Sequence, residues 1–201
     1  MHETASNQTS LNETAPNETA PNETAPNETA PNETAPNQAA LNETVLKNAR
    51  PEVDAWLAEF VARNGGFAGS VHLAEPAEPA EPAEPAGSAG DGEIVLVASY
   101  NLPVSVRNGT AVIPIGKGMA GTAAQRRAPV AVSDFQTDTT GVAVRAGRAA
   151  GAMGSLTLPV FDPADDTLVA VVGIGFTERR DFTPEETAKY AEDAATVRMI
   201  L

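Results

Sequence analysis

Two low-complexity repeats limit how much of this 201-residue chain can fold. Five consecutive copies of Asn-Glu-Thr-Ala-Pro fill Asn12 to Pro36, and a second run, Ala74 to Ala86, repeats Ala-Glu-Pro. The regular prolines remove backbone donors, and the polar residues give a core little to bury. Without the repeats about 140 residues remain, the size of one domain. We therefore expect a disordered acidic tail over residues 1–47, and a single domain over residues 48–201 with a repeat loop at 74–90.

The net charge of -14 says less about partners than its size suggests. Residues 1–50 hold seven Glu against Lys47 and Arg50, and the second repeat adds four Glu, so these stretches carry -9 of the total. The remainder is mildly acidic, and it has no basic stripe with interleaved aromatic residues. We therefore expect no nucleic-acid partner.

The residues that are missing also restrict the chemistry. The chain has no cysteine, so disulfides, thiolate nucleophiles and thiolate metal sites are excluded. The first residues have no apolar signal region, and no stretch reaches the about 18 apolar residues that a membrane span needs. We expect a cytoplasmic protein without a membrane partner.

Apolar spacing predicts the elements of the folded part. Pro51 to Arg63 carries an apolar stripe at helical spacing and ends at an Asn-Gly stop. Phe67 to Ala74 alternates like a strand, with Ser70 and His72 on one face, and Glu93 to Tyr100 is a second strand. The pair Asn108-Gly109 predicts a type I′ hairpin turn between strands at Val104 to Val106 and Ala111 to Ile115.

The second half of the sequence predicts a further set of elements. They are a short helix at Thr122 to Arg127, a strand at Pro129 to Asp134, an irregular connection at Gln136 to Ala152, a hairpin of Ser155 to Phe161 with Thr167 to Phe176, and a closing helix. Thr183 as N-cap, Pro184 and Glu186 form a capping box at the start of that helix. The order indicates an α+β fold with a mainly antiparallel sheet.

Gly116 to Gly121 reads G-x-G-x-x-G, which raises the possibility of a dinucleotide site with Asp134 as the ribose ligand. Only about two helical turns fit between Gly121 and Asp134, too few for a crossover helix that spans a sheet. The alternative is architectural. The glycines would then allow positive φ and close backbone approach where a strand meets a helix.

The middle of the chain resembles GAF domains. The matching segments are Ile113 to Gly121, Ala123 to Arg127, Pro129-Val130, Ser133 to Gln136, Gly154 to Val160, Val172 to Ile174 and Asp181 to Glu186. The resemblance extends over Pro51 to Leu201. It implies an antiparallel sheet of five or six strands, with the N- and C-terminal helices on one face and a ligand pocket on the other.

The resemblance also implies a function. GAF domains bind cyclic nucleotides, tetrapyrroles, small metabolites or metal centres, and one branch reduces free methionine-R-sulfoxide with cysteines that this chain lacks. We therefore expect a regulatory module that is not an enzyme, binds an unidentified small molecule and signals through an unknown partner protein. The alternative is a ligand-free interaction module that forms a homodimer through the helices starting at Pro51 and Thr183.

The candidate ligand-binding residues lie in and around the long connection. Arg145 and Arg148 are the cations placed to bind a phosphate or carboxylate, although a solvated loop is the alternative. The residues that could line the floor of a pocket are Tyr100, Phe135, Ser155 and Thr157. The sequence predicts no catalytic or metal-binding residues, and it leaves the cofactor unknown.

Other polar groups have simpler interpretations. His72 is expected to be a satisfied or exposed strand histidine. Asp162, Asp165 and Asp166 lack the bidentate Glu of a calcium loop and are expected to form a solvated hairpin tip. Arg126 and Arg127 could bind an anion, but capping the carbonyl end of a short helix is the favoured role.

Overall fold

The computed structural model describes residues 40–75, 92–139 and 144–201. Most of the predicted tail (residues 1–39) and most of the predicted repeat loop (residues 76–91) lie outside the described residues, as do residues 140–143 of the long connection. Within the described ranges, no helix has the length and apolar character needed to cross a membrane.

Helices and strands alternate irregularly along the described chain. They are α1 Glu43–Asn48, α2 Pro51–Arg63, β1 Ala68–Ala74, β2 Glu93–Tyr100, α3 Val104–Gly109, β3 Val112–Pro114, α4 Gly118–Arg126, β4 Val130–Val132, α5 Val144–Ala149, β5 Gly154–Phe161, β6 Leu168–Phe176 and α6 Pro184–Ala194, with a 3-10 turn at Ala195–Met199. The strands form one six-stranded sheet in the order β3-β2-β1-β6-β5-β4. Every neighbouring pair is antiparallel. The predicted α+β class and antiparallel sheet are confirmed.

The main core lies between one face of the sheet and the helices α2 and α6. The apolar stripe of α2 faces the sheet, and four of its residues are fully buried: Val53, Leu57, Phe60 and Val61. The end of the chain contributes Tyr190, Ala194 and Val197 to the same cluster. These stripes are thus used inside one chain, and pairing with a second subunit through the two helices stays a prediction.

A polar contact joins α2 to the 3-10 turn that follows α6, at the edge of this core. The Trp56 indole donates a hydrogen bond to the Thr196 hydroxyl at 3.0 Å.

At the start of α6, the Thr183 hydroxyl accepts from the Glu186 amide and the Glu186 carboxylate accepts from the Thr183 amide, each at 3.1 Å. The predicted capping box is therefore present. The same bond to the Thr183 backbone lowers the pKa of the Glu186 carboxyl.

The folded part begins earlier in the sequence than predicted. Helix α1 begins at Glu43, inside the stretch assigned to the tail, and ends at Asn48, just after the predicted boundary at 47–48. The Asn42 side chain caps it by accepting from the Val45 amide at 2.9 Å. Val45 is buried in a small cluster with Leu96 and Ala111. This single buried valine beside a polar repeat is too weak a pattern to predict a helix.

The predicted hairpin around Asn108-Gly109 is wrong. Val104–Gly109 is helix α3, preceded by Pro103. A type I′ turn needs positive φ at both central residues, and neither Asn108 nor Gly109 has it. Burial of Val106 stabilises the helical turn instead. The Asn108 side chain accepts from the Asn42 amide at 2.9 Å and so holds the segment that leads into α1.

The glycines of the G-x-G-x-x-G segment have the architectural role that was the alternative to a dinucleotide site. Gly116 and Gly118 have φ of +89° and +59°. A Cβ on Gly121 would lie 2.3 Å from the carbonyl oxygen of Pro114 in β3. Helix α4 therefore starts at Gly118, four residues before the predicted start at Thr122, and it packs directly on the strand that precedes it.

Alanine substitutions at two glycines test this description of the fold. Gly121→Ala should lower the free energy of unfolding by about 1–3 kcal/mol, because the methyl group overlaps with backbone that cannot move aside. Gly109→Ala should leave stability unchanged or raise it by up to about 1 kcal/mol, because Gly109 is helical and an added Cβ meets nothing within 4 Å.

Urea unfolding of the full chain measures both effects. Gly109→Ala is also the matched control, since it adds the same methyl group at an open position. A Gly109→Ala protein that is clearly destabilised would contradict the assignment of α3 and would restore the hairpin turn.

Candidate functional site

A cavity of about 160 Å³ lies on the face of the sheet opposite α2 and α6. Strands β1, β6 and β5 form its floor, and residues of α3, α4 and α5 form its walls. The alternation of side chains along each strand separates the two faces. In β5, Leu156 and Leu158 are fully buried in the main core, whereas Ser155 and Thr157 line the cavity.

Glycines of β6 create the space at the floor. Gly173 pairs with Ser70 of β1 on one side and with Thr157 of β5 on the other, so the three residues form a row across three strands. A Cβ on Gly173 would lie 3.0 Å from the Ser70 hydroxyl oxygen. Gly175 also lines the cavity and pairs with Ser155. The floor is thus a backbone surface with a hydroxyl on either side.

The hydroxyl of Thr157 is a polar group at the cavity floor that the fold leaves without a hydrogen bond. Thr157 is 4% exposed. Its hydroxyl forms no hydrogen bond within the part of the chain that the structure describes, and the same holds for Ser70. The Ser155 hydroxyl differs, because it donates to the Ile174 carbonyl at 3.0 Å. Two of the three floor hydroxyls are therefore available to a bound molecule.

His72 lines the cavity on the same face of β1 as Ser70 and is 3% exposed. Its Nε2 lies 3.0 Å from the carbonyl oxygen of Thr110. A carbonyl can only accept, so Nε2 carries the proton and Nδ1 is an acceptor. Nδ1 is buried without a partner among the described residues. Burial lowers the pKa of His72 to about 4, although the bond to Thr110 acts in the opposite direction, so the ring is neutral at neutral pH.

The first turn of α4 lines the cavity through Gly118, Met119 and Ala120. Lys117 is the N-cap residue, but its side chain accepts no capping bond, and the first turn contains no acidic residue. The backbone amides of Gly118, Met119 and Ala120 have no hydrogen-bond partner in the described ranges. This helix end is therefore a group of unpaired donors beside the cavity.

Helix α5 and Phe135 form the wall next to β4. Phe135 is 1% exposed. A Cβ on Gly147 would lie 2.5 Å from the Phe135 ring, so the backbone of α5 rests directly on the aromatic side chain. The Arg148 guanidinium holds the same corner, because its Nε donates to the Phe135 carbonyl at 2.9 Å.

The structure brings together half of the predicted ligand-binding residues. Phe135, Ser155 and Thr157 line the cavity. The other three do not: Tyr100 is 40% exposed at the end of β2, Arg145 is exposed, and Arg148 is bonded to the carbonyls of Phe135 and Gln136. Charge alone made the two arginines candidates. Arg148 instead has a structural role, which depends on the folded position of the Phe135 and Gln136 carbonyls.

The prediction missed Ser70, His72, Gly173 and the start of α4. A signal for the first two was present, because the period-two pattern of β1 places Ser70 and His72 on one face. The glycines of β6 gave no such signal. These glycines contribute to the cavity because they have no side chain at its floor. Which residues of β6 reach the floor depends on how the strands pair.

The remaining polar candidates stabilise turns. Asp165 accepts from the amide and hydroxyl of Thr167 at 3.0 and 2.8 Å, and the bond to the Thr167 amide lowers the pKa of this carboxyl. Arg127 ends α4 in the left-handed region at φ +53° and forms an ion pair with Asp166 at 2.6 Å. These aspartates shape and hold the exposed β5–β6 turn.

Comparisons with known proteins identify the fold through structure alone. No protein family model matches the sequence, and no curated protein matches it.

Solved structures do match. The type II free methionine-R-sulfoxide reductase of Thermoplasma acidophilum is 14% identical with a TM-score of 0.53, over 75% of this chain and 89% of that one. The GAF domain region of a Geobacter sulfurreducens PCA protein is 10% identical with a TM-score of 0.52, over 73% and 91%. The free methionine-R-sulfoxide reductase of Staphylococcus aureus is 19% identical with a TM-score of 0.50, over 73% and 82%.

These matches correct one prediction and confirm another. The prediction that the chain is not an enzyme is wrong, because reductases are among the structures that share its fold. The resemblance to GAF domains is confirmed at the level of architecture. The chain has a GAF-like fold.

Proposed function

We propose that this domain binds a small molecule in the cavity and acts as a sensory or regulatory module whose occupancy is read by a partner protein. The observation that carries the proposal is the Thr157 hydroxyl at the cavity floor, which belongs to a residue that is 4% exposed and has no hydrogen-bond partner among the described residues. A hydroxyl that folding leaves unpaired can bond to a bound molecule, and such a hydrogen bond is worth about 1 kcal/mol.

The dimensions of the cavity limit the ligand. A cavity of about 160 Å³ is close to the roughly 150 Å³ of an engineered protein cavity that holds benzene. A single ring or a short chain fits this space, whereas a dinucleotide or a tetrapyrrole does not. The residues that line the cavity include no Lys, Arg, Asp or Glu. Hydroxyls and backbone amides would therefore provide its polar contacts.

The walls of the cavity provide a route from binding to signalling. Met119 of α4 and Ala146 of α5 line it, and neither helix belongs to the main core under α2 and α6. A ligand that contacts α4 and α5 together would favour one arrangement of the two helices over others. In this proposal the outer surface of α4 and α5 is what a partner protein recognises.

Thr157→Val separates a binding role from a structural one. The substitution keeps the shape and removes the unpaired hydroxyl, so it should leave the free energy of unfolding of the ligand-free protein unchanged or raise it by up to about 1 kcal/mol. The same change should weaken binding of a hydrogen-bonding ligand roughly tenfold. A thermal-shift screen of small neutral and charged compounds, followed by titration of the hits, measures both effects.

Two control variants accompany this experiment. Thr177→Ala removes an exposed hydroxyl that does not line the cavity and should change neither quantity. Gly173→Ala adds a methyl group to the floor, where its nearest contact is the movable Ser70 hydroxyl at 3.0 Å, and should weaken binding without unfolding the protein. A Thr157→Val protein that is less stable and binds normally would contradict the proposal.

The neutral state of His72 gives a second prediction. Its pKa is about 4 in the folded protein against 6.5 for the ordinary group. Below pH 6.5 the unfolded chain therefore binds a proton that the folded protein does not, and stability is lost as pH falls from 6.5 to 4. The expected slope approaches about 1.4 kcal/mol per pH unit. Urea unfolding across this pH range should show that slope.

His72→Gln is the matched variant, because the amide can still donate to the Thr110 carbonyl but does not titrate. All carboxyl groups are the same in both proteins, so the difference between their slopes isolates His72. Equal slopes for the two proteins would show that His72 takes up a proton as readily in the folded protein as in the unfolded chain.

A further inference from the structure

Helix α1 is held to the domain by few contacts. Val45 is its only buried residue, and the next residue, Leu46, is 60% exposed. A helix of six residues is too short to be stable by itself. Helix α1 therefore depends on the small cluster in which Val45 packs with Leu96 and Ala111. An element with so few buried contacts can open locally while the main core stays folded.

The Asn108 side chain of α3 holds the segment that leads into α1. Its oxygen accepts from the Asn42 amide at 2.9 Å, and its nitrogen donates to the Ala40 carbonyl at 3.0 Å. The Asn42 side chain donates to the Asn108 carbonyl at 3.4 Å. These hydrogen bonds are all exposed. Since Asn42 is also the N-cap of α1, a single residue of α3 positions the start of that helix.

The other face of α3 forms part of the cavity wall. Val106 and Thr110 both line the cavity, and a spacing of four residues places them on the same face. Asn108 lies two residues from each, about 200° around the helix axis. The Thr110 carbonyl also bonds to the His72 ring at 3.0 Å. One short helix thus contacts the cavity on one face and the start of α1 on the other.

Arg107 is an unsatisfied group beside α1. It lines a small pocket together with Val45, Ala49 and Asp54. Its Nε is buried and has no hydrogen-bond partner among the described residues. A buried N–H group without a partner destabilises the packing that buries it. The docked position of α1 next to this arginine is therefore less stable than its apolar contacts alone would make it.

We propose that α1 is a releasable strap, and that α3 couples its release to the wall of the cavity. A displacement of α3 at Val106 also moves Asn108, because both belong to one helix of six residues. Helix α1 then loses its contacts with Asn108, and the pocket at Arg107 opens to water. The acidic pentad repeat precedes α1 in the sequence, so release changes the point at which the repeat joins the domain. This coupling is a property of the ligand-free fold and goes beyond the proposed function.

A single introduced thiol can report the release, because the chain has no cysteine of its own. Val45→Cys places the thiol under the strap. Leu46→Cys is the exposed reference, and Val61→Cys, at a position that is 0% exposed in the main core, is the matched reference for unfolding of the whole domain. Ala194→Cys, also 0% exposed, is a second core reference if Val61→Cys does not fold.

The measurement is the rate at which a thiol reagent labels each full-length protein in native buffer. Val45→Cys should react at least roughly tenfold more slowly than Leu46→Cys and at least roughly tenfold faster than Val61→Cys, because local opening requires less free energy than global unfolding. Equal rates for Val45→Cys and the core reference would show that α1 opens only with the whole domain. Equal rates for Val45→Cys and Leu46→Cys would show that α1 is not docked. Either result overturns the proposal.

Second substitutions in the Val45→Cys protein test the coupling through α3. Asn108→Ala removes both side-chain hydrogen bonds to the segment before α1 and should speed labelling roughly tenfold. Val106→Ala removes buried apolar surface on the cavity side of the same helix and should speed labelling severalfold.

Two matched controls show whether the effect is specific to α3. Asn64→Ala also removes two side-chain hydrogen bonds, at the end of α2. Val130→Ala makes the same change as Val106→Ala at a position in β4 that is 8% exposed. Both controls should leave the labelling rate of Val45→Cys unchanged.

The outcomes decide the coupling separately from ligand binding. If Asn108→Ala speeds labelling and Val106→Ala does not, α1 opens independently of the cavity wall and the coupling is wrong. If Val130→Ala has as large an effect as Val106→Ala, the rate reports a general loss of stability, and the coupling is again wrong. None of these measurements uses a ligand, so their failure leaves the proposed function standing, and a failed ligand screen leaves the strap standing.

Discussion

The structure depends on the way β6 serves both faces of the sheet. This strand lies between β1 and β5, and on one face its Val172 and Ile174 fill the core under α2 and α6. On the other face, Gly173 and Gly175 leave the floor of the cavity open. The well-packed face can hold the sheet rigid while the other face stays partly empty. A shift of one residue in register would exchange the two sets and remove both the core and the cavity.

The cavity contains polar groups that folding leaves unsatisfied. The Thr157 hydroxyl and the His72 Nδ1 have no partner within the described ranges, and the amides at the start of α4 are in the same condition. The His72 Nδ1 lowers the stability of the ligand-free protein, because this atom is buried away from water. Residues that act against stability in one small region are typical of binding sites, where a ligand restores the missing bonds.

The parts of the fold that local patterns specify were predicted correctly. The α2 stripe, the β5–β6 hairpin and the capping box of Thr183 and Glu186 each depend on residues close in sequence. The predicted hairpin at Asn108-Gly109 is wrong because it relied on a local turn preference alone. Burial of Val106, which depends on the rest of the fold, favours a helix there instead. Of the candidate ligand-binding residues, Phe135, Ser155 and Thr157 line the cavity, whereas Arg148 bonds to the Phe135 carbonyl.

The sequence by itself determined the α+β class and the faces of individual strands, because periodicity is a property of short segments. Only the tertiary structure decided which of those faces surrounds a cavity. Ser70, Gly173 and Thr157 are far apart in the chain and form one row only after β1, β6 and β5 have paired. The start of α4 becomes part of the same site because that helix packs over β5 and β6. Register and packing between distant segments are set by the whole core, and no short stretch of sequence contains them.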